Sequence, residues 1–224
     1  RQLVNAHGSA ELSLFEGAGH RLRHDPRAVA VLLGMAFAGV VGLVLLVDAA
    51  AGAGDAVRVT SACLYGATLV ALYVASTLYH AMPGGGARGL FRILDHSAIF
   101  LLIAGSYPPF CLVALEGPVG WTLLTVVWAL ALAGVVLTAV AISRTRGVAR
   151  VLYLGMGWCI VMAAGPVVRA LDPMTLLLLV IGGVTYTGGL VFYGRRFRFA
   201  HTVWHLFVMT ASGLHWWAVY RVVA

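Results

Sequence analysis

The chain has 224 residues, 61% of them hydrophobic and only 10% charged, with a formal net charge of +7. A soluble domain carries roughly 25% charged residues, so most of this chain belongs in lipid. The basic balance does not make it a nucleic-acid binder, because its arginines fall in short loops between apolar runs and not along one stripe.

Residues 1–26 form the polar start, expected to be an N-terminal cytoplasmic segment that is either disordered or a short helix on the membrane surface. A membrane-crossing helix needs about 20 mostly apolar residues. Runs of that kind stand at 28–47, 59–81, 93–114, 119–141, 149–169, 174–193 and 201–221. The first is too long for the apolar core of a secretory signal. "PGGGARG" at 83–89 reads as a flexible turn. Cys63, Cys111 and Cys159 each lie within an apolar run, where they read as small core residues. The expected fold is an all-α integral membrane protein, a seven-transmembrane-helix bundle over residues 27–224.

Loop charge gives the expected orientation. The N-terminal segment and the loops after the second, fourth and sixth runs hold twelve arginines, against Arg58, Arg169 and Arg221 on the other side. Positive charge favours the cytoplasmic face, so the N-terminus is expected inside and the C-terminus outside.

Ionisable groups are costly in lipid and mark functional positions. Those within the runs are His80, Asp95, His96, His201, His205 and His215. Given the alternation of the runs, His80 closes the second, Asp95 opens the third, and His201 with His205 opens the seventh. All therefore arrive at the cytoplasmic leaflet. Taken singly, a histidine at a span end is an interfacial or hydrogen-bonded residue. Two of them four apart share one helix face, as do Ser76 and His80. Three neutral imidazoles with an open position are a catalytic zinc arrangement. A nearby carboxylate can orient a water there and take its proton. His96 points about 100° away from Asp95 and suits a packing or loop-contact role, and His215 lies about 15 Å beyond His205.

With these residues in place, "ASTLYHAMPGGGARGLFRILDHSAIFLLIAGSYPPF" (75–110) and "HTVWHLF" (201–207) resemble the bacterial hemolysin III proteins. Those group with the progestin and adiponectin receptors, in a superfamily that includes alkaline ceramidases. The resemblance implies seven spans in the bacterial plasma membrane and a Zn2+ ion on His80, His201 and His205. It also implies that Asp95 contacts a zinc-bound water, with Ser76 as neighbour. The chain departs from the family at Tyr107-Pro108-Pro109, where the family reads Tyr-Thr-Pro, and two adjacent prolines should kink or locally unwind that helix. The short polar motif of many bacterial members is not evident in residues 1–26.

Three functions are weighed. The first is a zinc-dependent hydrolase of a lipid amide or ester, with Asp95 as general base and Ser76 donating to the developing oxyanion. The second is a receptor-like or regulatory protein whose zinc is structural, with Asp95 as a fourth ligand or holding a liganding histidine. The third is the cytolysis that the family name suggests. In each, the partner is membrane lipid and nucleic acid is excluded.

Overall fold

The computed structural model describes residues 26–83, 85–142, 146–193 and 200–224. All regular structure among these residues is helical. The expectation for residues 1–25 lies outside them. Helix α1 spans Pro26–Gly52, α2 Ala56–Ala81, α3 Gly86–Gly105 and α4 Pro118–Ala141. Then come α5 Arg146–Trp158, α6 Ala164–Ala170, α7 Pro173–Tyr193 and α8 Ala200–Val223.

Local chemistry sets several ends. Asp55 caps α2, its carboxylate accepting from the Val57 amide at 2.9 Å. Asp172 caps α7 by accepting from the amides of Met174 at 3.0 Å and Thr175 at 3.2 Å, with Pro173 opening the helix where its missing N–H costs nothing. Gly85 takes φ +89° immediately before α3, a conformation that glycine adopts without a steric penalty. This corrects the turn read over 83–89: Gly86–Gly89 already belong to α3. Asp95 consequently sits well inside the helix and does not open it.

The two prolines act as expected. Helix α3 stops at Gly105, and Pro109–Ala114 form a π-helical segment. The fifth run is also broken, by a 3-10 stretch at Cys159–Ala163 between α5 and α6. Tyr107, beside the first break, repairs the second. Its hydroxyl donates to the Met156 carbonyl at 2.5 Å and accepts from the Ile160 amide at 3.2 Å. Such repair is what allows an irregular backbone at membrane depth.

Among the described residues, six segments are long and apolar enough to cross a membrane: 30–52, 56–81, 86–114, 118–141, 147–170 and 173–193. Helix α8 is long enough, but its histidines, tryptophans and Arg221 dilute its apolar character. The residues that make it interesting chemically are the ones that weaken it as a span.

Successive helices pack side by side, and α8 returns to touch α1 and α2, closing the bundle. In the interior, the Tyr186 hydroxyl meets Ser212 Oγ at 2.7 Å, and Tyr65 donates to the Ser212 carbonyl at 3.4 Å, so α2, α7 and α8 are stitched together. At one end, Arg58 donates to the carbonyls of Val222 and Val223, and Arg221 pairs with Asp172 at 2.8 Å. The opposite end gathers the close of α2 with the starts of α3 and α8, and that end carries the site.

Candidate functional site

Three helices deliver the site residues. Ser76 and His80 lie one turn apart at the end of α2, Asp95 lies in α3, and His205 lies in the second turn of α8. His80 and His205 meet edge-to-face, with ring centroids 5.4 Å apart and planes at 81°. Ser76 is buried, and its hydroxyl donates a hydrogen bond to the Asp95 carboxylate. The fold thus makes two joins that spacing alone could only suggest, His80 to His205 and Ser76 to Asp95. The backbone of α8 carries His201 four residues before His205, but its side chain lies outside the described residues.

His96 has a larger part than its packing role implied. Its Nδ1 stands 3.6 Å from Asp95 Oδ2 and 2.9 Å from the Arg92 carbonyl. Its Nε2 meets the Tyr193 hydroxyl at 3.2 Å, while Tyr153 donates to the His96 carbonyl at 2.9 Å. Asp95 is therefore flanked by a hydroxyl from α2 and an imidazole held by α7 and by the Arg92 carbonyl. Tyr153 and Tyr193 escaped the sequence reading because a tyrosine in or ending an apolar run looks like an interface anchor. Tyr79 adds an aromatic wall, its ring 5.0 Å from His80 and 6.5 Å from His96. His215 is elsewhere, against Tyr186 and the Leu179 carbonyl on α7.

Among the described residues, no group of three or more His, Cys, Asp or Glu is placed to hold a metal ion. The donor chemistry at this end nevertheless fits one. Imidazoles from two helices are in contact, a third is carried one turn away on α8, and nitrogen donors of this kind suit zinc.

A protein-family model described as "Haemolysin-III related" matches residues 28–216. The chain belongs to the hemolysin III-related family. "Hemolysin-3" of Bacillus cereus is 39% identical over 178 residues, covering 79% of this chain and 81% of that protein. "Hemolysin-3 homolog" of Bacillus subtilis (strain 168) is 38% identical over 178 residues, covering 79% and 84%. "Monocyte to macrophage differentiation factor" of Homo sapiens is 29% identical over 169 residues, covering 72% and 69%. This hemolysin III-related chain, with six apolar helices among its described residues, is a multi-pass protein of the bacterial cell membrane.

Proposed function

We propose that this hemolysin III-related protein is a zinc-dependent intramembrane hydrolase of a lipid amide or ester. It would work as a seven-helix bundle with its N-terminus in the cytoplasm. The supporting observation is the contact of His80 with His205 across α2 and α8, next to a Ser76–Asp95 pair. His80, His201 and His205 would hold the zinc. When bound, it supplies Lewis acidity that polarises a carbonyl and makes water a better nucleophile near neutral pH. Asp95 takes the proton of the attacking water. Ser76 holds the Asp95 carboxylate in the resting protein and can turn its hydroxyl to the developing oxyanion. His96, fixed by Tyr193 and the Arg92 carbonyl, lines the carboxylate.

The test is metal analysis and lipid hydrolysis on the purified protein. Wild type should carry about one zinc, and His205→Ala should lose it. Cleavage of long-chain lipid amides or esters should fall at least ~100-fold in Asp95→Ala, consistent with loss of general-base catalysis. Full zinc retention in His205→Ala would sink the site, and zinc-loaded wild type that cleaves no lipid would sink the hydrolase. A second reading, cytolysis, rests on the printed name of the Bacillus relatives. Dye release from vesicles by protein stripped of zinc would favour it.

A further inference from the structure

Arg88 and Arg92 lie four residues apart on the first turns of α3, so they share a face. Two like charges so placed repel each other, and Asp95, the nearest acid in sequence, does not relieve them. Its carboxylate accepts from Ser76 and lies beside His96. Among the described residues, neither arginine has a carboxylate partner.

Two further observations fix their role. The Arg88 guanidinium lies 4.8 Å above the Tyr79 ring, and Tyr79 also borders His80 and His96. That contact pins the cation at the rim of the histidine–aspartate site. The Nε atoms of both Arg88 and Arg92 are buried without a hydrogen-bond partner, although each side chain as a whole remains half-buried. An unsatisfied buried donor is costly. Two neighbouring cations with no acid partner among the described residues, at the end of a bundle that ends in lipid headgroups, call for an anion.

We propose that Arg88 and Arg92 form a phosphate-binding site at the rim of the histidine–aspartate site, occupied by the phosphate of an anionic lipid headgroup. Guanidinium presents several donors in a rigid fork that matches phosphate oxygens, which an ammonium cannot do. An anion between the two arginines removes their repulsion. The site lies one turn from His96 along α3, so a lipid held there by its phosphate has its acyl linkage beside His80 and Asp95. Binding at this site needs no hydrolysis and stands whether or not the neighbouring site cleaves lipid.

The full chain in detergent micelles is titrated with three probes: short-chain phosphatidic acid, the corresponding uncharged diacylglycerol, and inorganic phosphate. Arg88→Gln and Arg92→Gln should each weaken phosphatidic acid binding about tenfold or more. Arg169→Gln, at the other end of the bundle, should leave it unchanged, and raising salt should weaken wild-type binding. Inorganic phosphate displacing the lipid at comparable concentration would assign the site to free phosphate, against the lipid headgroup proposed here. Much weaker displacement by phosphate supports the lipid source. Equal phosphatidic acid binding in wild type and both glutamine variants overturns the proposal, as does equal binding of the uncharged lipid. The unfolding midpoint of each variant is measured alongside. If Arg92→Gln fails to fold, Arg88→Gln and Arg92→Lys decide, the lysine variant retaining charge but losing the fork and binding at intermediate strength.

Discussion

The Asp95 carboxylate is tightly held, with only 14% of its side chain exposed and the Ser76 hydroxyl donating to it. Removing that donor leaves a buried acceptor short of a partner, which costs about 1–3 kcal/mol. Ser76→Ala should therefore lower the unfolding midpoint as well as any hydrolytic rate, and a midpoint equal to wild type would count against the hydrogen bond. Asp172 is the contrasting case, outside the spans. The Thr175 hydroxyl above all, then the Thr175 amide and Arg221, push its carboxyl down from 3.8 to about 2. An acid with a depressed pKa adds stability above its ordinary value and loses it as pH falls through the lowered one. The unfolding midpoint should drop between about pH 4 and pH 2, and Asp172→Asn should flatten that drop. Asp172 is exposed, so salt should reduce the effect. The sequence made Ser76, His80, Asp95 and His205 visible because polar groups stand out in apolar runs. Arg88, Tyr79 and Tyr193 did not stand out, because arginine in a loop and tyrosine at a membrane border are ordinary.

At the scale of the element, close approach decides what each helix can carry. A Cβ on Gly134 of α4 would fall 2.3 Å from the ring of Phe100 on α3, and Phe100 is fully buried. Small residues let membrane helices approach in this way. Gly134→Ala should destabilise by about 1–3 kcal/mol through overpacking, and adding Phe100→Leu should recover much of the loss. Measuring both unfolding midpoints checks this. The break between α5 and α6 depends on one hydroxyl. Tyr107→Phe strands the Met156 carbonyl and the Ile160 amide, so hydrogen exchange at Ile160 should speed up while the rest of α5 keeps its protection. The sequence announced the proline break after α3 through Pro108 and Pro109. It gave no sign of the 3-10 stretch at Cys159–Ala163, because that irregularity is held by a tyrosine 50 residues away and not by a local breaker.

For the molecule as a whole, the large apolar side chains left exposed, such as Phe37, Trp121, Val140 and Met162, belong against lipid, which removes the usual cost of leaving them outside a core. If the N-terminus is cytoplasmic, a single cysteine after Val223 should react with a membrane-impermeant thiol reagent on intact cells. One placed between α4 and α5 should react only after permeabilisation, in a background lacking Cys63, Cys111 and Cys159. Labelling of both from outside would refute the orientation. Composition and periodic apolar runs determined by themselves that this chain is a helical membrane protein, because lipid leaves a backbone few other ways to satisfy its hydrogen bonds. The same runs located most helix boundaries to within a few residues, and "SxxxH" with "HTVWH" drew attention to the candidate site. Only the tertiary structure decided which residues meet. That His80 faces His205, that Ser76 rather than a cation holds Asp95, and that Arg88 lies over Tyr79 all depend on helix rotation and close packing. Those are set by side chains distant in sequence, and no local pattern encodes them.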